Sequence, residues 1–174
     1  VDGKSETFLY VLSTQSKGLV ITKTSVNHSI VWSKRISGNF ENQPQIVSNG
    51  TSVFVVAKDA GIHVMEITSS GSVKWARKIS WDSSDVMKTV EYSNGHLLIS
   101  GCTQALANKT YNPFVIKMNT SGQLQWSTVL ERSRDELNGH IRAADGAYYL
   151  AGNTATNSFG FEDLFVAKLD TNGQ

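Results

Sequence analysis

Apolar and polar positions follow one order several times along this chain. Over 64–75, an apolar run gives way to the turn-forming string Thr68-Ser69-Ser70-Gly71, and apolar and polar residues then alternate up to Trp75. The same order returns over 115–126, more loosely over 21–32, and over 166–174, where it stops before a tryptophan is due. The landmarks of the repeat are a tryptophan and a turn glycine, found at Trp32, Trp75, Trp126, Gly71, Gly122 and Gly173. Repeats roughly 40–50 residues apart indicate a solenoid, a propeller or an array.

Each repeat predicts four short strands. The first two are near-continuous apolar runs, such as 53–57 and 148–152, and such strands are buried on both faces of a sheet. The third alternates between apolar and polar residues, as in 73–78, which is typical of an outer, half-exposed strand. The fourth is a weaker run such as 139–144. Pairs such as Asn94-Gly95 are tight-turn signals, and we interpret them as the openings of the units.

Four antiparallel strands in a repeat of this length predict the blade of a β-propeller. The predicted fold is all-β, with about three and a half four-stranded blades that form part of a larger propeller. The predicted units of this one domain are 1–48, 49–93, 94–144 and the partial unit 145–174. A β-sandwich is the alternative fold, but it does not account for a motif that recurs in register. A helical repeat is excluded because no window has a 3.6-residue period.

The last unit carries a family resemblance. It reads D-G-A-Y-Y-L-A-G-N-T over 145–154 and F-V-A-K-L-D-T-N-G over 165–173. These strings resemble the bacterial-type β-propeller repeat of large secreted and cell-surface proteins. That resemblance implies the fold and an extracellular or cell-surface location, but no single activity. The repeat is also similar to PQQ-type propeller repeats, which place Gly-x-x-x-Trp after a strand. Lys23, Lys117 and Lys168 stand where that second family usually has alanine, which favours the first.

Composition and motifs exclude several classes of function. The net charge is +1 without a basic run, which argues against nucleic-acid binding because phosphate contacts need clustered Lys and Arg. No apolar stretch approaches the ~18 residues of a membrane-spanning helix. The one cysteine, Cys102, lies in an apolar run and is interpreted as a buried thiol. No catalytic or phosphate-binding motif occurs, and the histidines fit no zinc spacing. We therefore predict no catalytic, cofactor-binding or metal-binding residue.

Turn lengths predict two different ends of the blades. Tight connections share one end, and connections of variable length share the other, where binding residues usually lie. The long loops at 104–112 and 156–163 contain Tyr111, Phe159 and Phe161. These aromatic residues are candidates for stacking on a sugar or anchoring a protein, unless they pack under their own loops. Polar loops at 39–42, 82–85 and 132–136 could supply oxygen ligands to a cation, although solvated loops are the favoured interpretation.

Four Asn-x-Ser/Thr sequons fall in predicted turns or loops, at Asn27, Asn49, Asn108 and Asn119. Their number is close to chance, but their placement suits N-glycosylation. The sequence favours a non-enzymatic extracellular scaffold or adhesion module that binds protein or glycan, or further blades of the same polypeptide. The alternative is a portion of a propeller enzyme, either a quinone-dependent oxidoreductase or a glycan-processing enzyme, with its active residues outside this segment.

Overall fold

The computed structural model describes residues 9–15, 18–41, 44–80, 86–104, 111–130, 135–155 and 162–174. Within that part of the chain all regular structure is β, and no helix occurs. The strands are β1 Leu9–Gln15, β2 Gly18–Thr24, β3 Ile30–Ser37, β4 Gln45–Ser48, β5 Ser52–Lys58, β6 Ile62–Thr68, β7 Val73–Ile79, β8 Val86–Ser93, β9 His96–Gln104, β10 Tyr111–Asn119, β11 Leu124–Val129, β12 Asp135–Arg142, β13 Tyr148–Thr154 and β14 Asp163–Leu169.

The strands form four antiparallel sheets in chain order, here called blades 1 to 4. Their strand orders are β1-β2-β3, β4-β5-β6-β7, β8-β9-β10-β11 and β12-β13-β14. Every strand within a blade pairs with its neighbour in sequence, so each blade is a meander. The first strands of blades 2, 3 and 4 contact one another in succession, β4 with β8 and β8 with β12, which places them innermost. The chain is therefore an arc of a β-propeller with about three and a half blades, as the repeat predicted, and the arc is not closed.

The predicted unit boundaries need correction. The fourth strand of each of the first three predicted units pairs with the strand that follows it: β4 with β5, β8 with β9 and β12 with β13. The predicted units 1–48, 49–93 and 94–144 therefore each straddle two sheets. The reason is turn geometry. A two-residue turn such as Asn94-Gly95 joins antiparallel partners within one sheet, whereas the chain passes between sheets through the longer connections at 38–44, 80–85 and 130–134.

Strand position within the blades agrees with the apolar pattern. β5 and β6 lie in the middle of blade 2, and nearly all their residues are buried. β7 lies at the outer edge and is largely exposed. The central strands are apolar throughout because neighbouring blades cover both of their faces. The outer strand alternates because only one of its faces packs against a neighbour.

The core consists of three apolar layers, one between each pair of neighbouring blades. Representative buried residues are Leu19, Ile21 and Met65 between blades 1 and 2, Phe54, Ile62 and Phe114 between blades 2 and 3, and Leu98, Val115 and Leu150 between blades 3 and 4. Burying one such side chain fully stabilises the fold by about 1.5–3 kcal/mol. The blades are therefore held together mainly by face-to-face packing.

The hairpin between the last two strands of a blade has one recurring form. In blade 2 the Gly71 N–H donates to the carbonyl of Thr68, and the Thr68 N–H donates to the carbonyl of Ser72. Gly71 has a φ of +85°, and the strand register shifts by one residue between Glu66 and Ile67. A tight turn with a left-handed glycine and a bulge joins strands in this way. In blade 1 His28 takes the glycine's place at a φ of +62°.

Candidate functional site

Antiparallel alternation separates the connections into two groups at opposite ends of the blades. The turn face carries the tight turns at 25–29, 49–51, 69–72, 94–95, 120–123, 144–147 and 170–174. The loop face carries the connections at 38–44, 59–61, 80–85, 105–110, 130–134 and 155–162. The sequence predicted this division, and the strand pairing agrees with it.

On the turn face, each tryptophan of the repeat binds the next blade. The indole N–H of Trp32 donates to the carbonyl of Ser69 over 2.9 Å, Trp75 donates to Thr120 over 2.9 Å, and Trp126 donates to Thr171 over 3.1 Å. Each acceptor lies two residues before the turn glycine of the next blade. We call this contact the tryptophan latch. Because it recurs at three successive interfaces, it is a structural element of the repeat.

The turn glycine fits under the indole ring of the latch. A Cβ atom on Gly71 would lie 3.0 Å from the ring of Trp32, and one on Gly122 would lie 2.9 Å from the ring of Trp75. Gly173 is closest, because its Cβ would lie 2.6 Å from Trp126. The repeat therefore needs glycine here both for the positive φ and for the ring above it.

Lysine at the repeat position before the turn adds to two of the latches. The Lys23 ammonium donates to the same Ser69 carbonyl as Trp32, over 3.1 Å. The Lys117 ammonium lies 5.8 Å from the ring centroid of Trp126 and 5.7 Å from that of Tyr148, within the range of a cation–π contact. These lysines, which favoured one family resemblance over the other, have structural contacts.

The best-described part of the loop face is a charged cluster between blades 1 and 2, which we call the rim cluster. It consists of Phe40, Glu41, Lys58, Asp59, His63 and Lys78. The Lys58 ammonium contacts Glu41 Oε1 at 2.5 Å, and the Glu41 N–H donates to the Lys58 carbonyl over 2.7 Å. Glu41 lies in one of the polar loops considered for a cation, but here its carboxylate is paired with a lysine.

Asp59 is the centre of the second half of the rim cluster. Its Oδ1 lies 2.8 Å from His63 Nε2 and 3.3 Å from Lys78 Nζ. Burial alone raises the pKa of the Asp59 carboxyl, but its contacts with His63 and Lys78 outweigh burial, so its pKa lies below the ordinary value. The edge of the His63 ring meets Phe40 at a centroid distance of 5.4 Å. The rim cluster therefore presents both charges and an aromatic ring on this face.

Of the three aromatic residues predicted to bind a partner, the structure describes only Tyr111. Tyr111 begins β10 on the loop face and is 37% exposed, so its ring is available to a partner. Phe159 and Phe161 lie outside the described residues, as do the loop segments 82–85 and 132–134. Among the residues that the structure describes, no three His, Cys, Asp or Glu side chains are grouped as metal ligands.

Three of the four sequon asparagines lie on the turn face. Asn27 is exposed, whereas Asn49 and Asn119 are half-buried and accept main-chain N–H bonds through Oδ1. The side-chain amide of Asn119 also donates to Gln123 Oε1 over 2.8 Å. Asn27 therefore has the most accessible amide of the three. Asn108 lies outside the described residues.

Sequence reasoning missed a buried polar network around His140. Its Nδ1 lies 2.6 Å from Ser100 Oγ and 2.8 Å from Thr89 Oγ1, and its Nε2 lies 3.6 Å from Glu91 Oε2. His140 belongs to β12 of blade 4, and its three partners belong to β8 and β9 of blade 3. The only feature of the sequence that points to this network is the position of His140 in a predicted strand, between Gly139 and Ile141.

The His140 network resembles a hydrolase triad only in its residue types. The side chain of His140 is 1% exposed and Ser100 is 0% exposed, so the hydroxyl has no access to a substrate. Burial lowers the pKa of His140 to about 4, so the imidazole is neutral at pH 7. The network therefore joins two blades. The thiol of Cys102, also buried, accepts the Leu137 N–H across the same interface.

No family model and no curated protein match this chain. Among solved structures, a protein of unknown function from Bacteroides caccae is 11% identical, with a TM-score of 0.40, over 94% of this chain and 79% of that one. BamB from Moraxella catarrhalis is 10% identical, with a TM-score of 0.35, over 93% of this chain and 69% of that one. Likeness at this level carries no functional inference, so the fold assignment rests on strand pairing and sheet packing. The described residues form no helix that is long and apolar enough to cross a membrane.

Proposed function

We propose that this chain is a non-enzymatic propeller scaffold, secreted or at the cell surface, that binds a protein or a glycan through its loop face. One observation carries the proposal. The turn face repeats the same latch at three interfaces, with donor–acceptor distances of 2.9, 2.9 and 3.1 Å, whereas the loop-face connections differ in length from blade to blade. Variable loops on a rigid scaffold are where binding usually lies.

The described part of the loop face supports this role chemically. Tyr111 offers an exposed aromatic ring, and the rim cluster offers charged groups near Phe40. An aromatic ring stacks on the apolar face of a sugar or fills a pocket on a protein. A hydrolytic role for Ser100 lacks support, because neither it nor His140 reaches solvent.

The extracellular location rests on the resemblance to secreted and cell-surface repeats and on the sequon positions. Glycans at Asn27, Asn49 and Asn119 would cover the turn face and leave the loop face free for a partner. Site-specific mass spectrometry of the protein from a glycosylating host should find turn-face glycans, with Asn27 the most fully occupied. Glycan on Asn108 alone would contradict this arrangement.

The binding test exchanges loops within the chain. Residues 105–110 and 156–161 are each replaced by the short Asp-Ala-Gly loop found at 59–61. The matched control replaces the turn-face segment 25–29 with Thr-Ser-Ser-Gly-Ser, the sequence at 68–72. All variants are measured on an array of defined glycans and on purified cell-surface proteins. We expect both loop exchanges to weaken a partner that the control retains, and unchanged binding after both exchanges would reject the loop face.

A single substitution separates stacking from other contacts. If the Tyr111 ring stacks on a sugar, Tyr111→Ala should weaken glycan binding about tenfold or more, because aromatic contacts contribute on the order of 1.5 kcal/mol. Tyr111→Phe keeps the ring and should retain most of the affinity. Equal losses in both variants would assign the contact to the hydroxyl group instead.

A further inference from the structure

One face of blade 4 differs from the equivalent faces of the other blades. Leu164 and Val166 on β14 are 74% and 63% exposed. The residues aligned with Val166 in the repeat are Val115, Val64 and Ile21, and they are 1%, 0% and 0% exposed. Two residues aligned with Leu164, namely Ile62 and Leu19, are 0% exposed. The same positions are therefore fully covered in blades 1 to 3 and open in blade 4.

The open face has a definable shape. Ala151 of β13 pairs with Val166 and is also exposed, and Tyr149 pairs with Lys168 on the same side. An open recess of about 260 Å³ lies on the sheet, lined by Gly139, His140, Tyr149, Leu150, Ala151 and Val166. An apolar surface of this kind is typical of a site that packs against a partner.

The other three faces show what occupies this position. Each is covered by the next sheet of the repeat, which contributes buried residues from its strands and the hairpin carbonyl that accepts the tryptophan latch. We propose that the open face of blade 4 is the docking surface for a further sheet of this same repeat. The occupant is defined by its chemistry. It presents an apolar face to Leu164 and Val166, and it carries a left-handed glycine in the hairpin nearest to the outer edge of blade 4.

Residues at the turn-face end of blade 4 fit that occupant. Lys168 aligns with Lys23, whose ammonium reaches the hairpin carbonyl of the following blade. Without such a neighbour, the Lys168 ammonium contacts Asp145 at 3.2 Å and the ring of Tyr149 at 5.4 Å, and its side chain is 53% exposed. A further sheet would offer Lys168 the carbonyl that Lys23 already has.

A duplicated segment of this chain can serve as the occupant in a test. Gln174 stands at the repeat position of Gln123, so a second copy of residues 124–174 appended after Gln174 continues the repeat in register. The appended segment provides an outer strand with a tryptophan for blade 4, followed by three strands of a new sheet. The control carries the same extension with its tryptophan changed to alanine and its turn glycine changed to valine, which removes the latch.

Docking is measured by thiol labelling. Val166→Cys introduces a reporter on the open face, and the native Cys102 is 1% exposed and contributes little background. In the extended protein we expect the labelling rate of Val166→Cys to fall by about tenfold or more, as expected for a site that opens only when the sheets separate. A second reporter, Val31→Cys in the outer strand of blade 1, replaces a residue that is 51% exposed. It should label at the same rate with and without the extension.

Three outcomes would overturn the proposal. Equal Val166→Cys labelling in the parent and the extended protein would show that the face does not take this sheet. Equal protection by the latch-deficient extension would show that the added chain covers the face without repeat-specific docking. Concentration-dependent protection in the parent alone, with a dimer in analytical ultracentrifugation, would assign the face to a second copy of the chain.

Discussion

The two ends of the blades differ in what their residues contact. On the turn face, three tryptophans make the same hydrogen bond across three interfaces, and two of the glycines beneath the indole rings would place a Cβ within 2.9 Å of the ring. On the loop face, the contacts of the rim cluster are local ion pairs with no counterpart among the described residues of the other blades. Repeated contacts on the turn face and individual contacts on the loop face indicate that the latches reinforce the apolar packing between blades. The loop face is left free to vary.

The largest expected effect comes from the latch itself. Trp75→Ala removes a ring that packs against the core between blades 2 and 3 and also removes its hydrogen bond to Thr120. We expect a loss of about 3–5 kcal/mol in the free energy of unfolding, measured by urea denaturation. Trp75→Phe keeps most of the packing and should cost less. A loss below about 1 kcal/mol for Trp75→Ala would show that the latch contributes little to stability, which would contradict the difference between the two faces.

The His140 network should add pH dependence to the interface between blades 3 and 4. The pKa of His140 is lowered by burial from 6.5 to about 4, so between these values the unfolded chain binds a proton that the folded chain does not. Stability should be full above pH 6.5 and should fall as the pH drops toward 4, by up to about 3 kcal/mol.

The control for that pH dependence is His140→Gln, which cannot titrate. It should flatten the stability profile between pH 6.5 and 4 while the tryptophan latches, which contain no titratable partner at this pH, remain. Urea denaturation at pH 7.5, 6.0 and 5.0 measures both profiles. Parallel profiles for the two proteins would show that His140 is not the source of the pH dependence.

Two glycines test whether the latch needs more than a favourable backbone. Gly122 and Gly95 have φ values of +76° and +77°, but only Gly122 lies under an indole, and a Cβ added to Gly95 would meet no atom within 4 Å. Gly95→Ala should cost about 1 kcal/mol for the left-handed conformation alone. Gly122→Ala should cost about 1–3 kcal/mol more because Trp75 must move. Equal losses in urea denaturation would mean that the ring adapts freely.

The loop face should respond least in stability. Lys58→Ala removes an ion pair with Glu41, in which the Lys58 side chain is 11% exposed and that of Glu41 is 55% exposed. Because water reaches the Glu41 carboxylate, we expect the pair to contribute about 1 kcal/mol or less. Thermal denaturation of Lys58→Ala and Glu41→Gln should therefore lie close to that of the parent. A loss as large as that of Trp75→Ala would show that the rim cluster also holds blades together.

The sequence predicted the features that depend on local patterns. Apolar runs identified the central strands, and the Gly122 and Trp126 landmarks identified equivalent hairpins. Both succeeded because turn type and strand burial depend on residues that are close together in sequence. The blade boundaries were wrong because alternation identifies strands without saying which neighbour each one pairs with. The Asn94-Gly95 turn does indicate the pairing, since a two-residue turn joins two strands of one sheet.

The interface residues could not be predicted in the same way. His140 meets Ser100 and Thr89 only after β12 has packed against blade 3, across 40 and 51 residues of chain respectively. Apart from its position in a strand, nothing local to His140 distinguishes it from an exposed histidine. The rim cluster is less distant in sequence, because Glu41 in the connection at 38–44 meets Lys58 of β5, 17 residues further along the chain.

Hydrogen exchange at matched amides tests the central claim most directly. Gly71 and Gly122 on the turn face and Glu41 and Asp59 on the loop face all donate a main-chain hydrogen bond, over 2.9, 3.0, 2.7 and 3.0 Å respectively. If the latches reinforce the packing between blades, the two glycine amides should exchange only at the free energy of global unfolding. Glu41 and Asp59 should exchange by local opening, at a rate on the order of ten times faster or more. Protection of Glu41 and Asp59 equal to that of the glycines would contradict the division between the two faces.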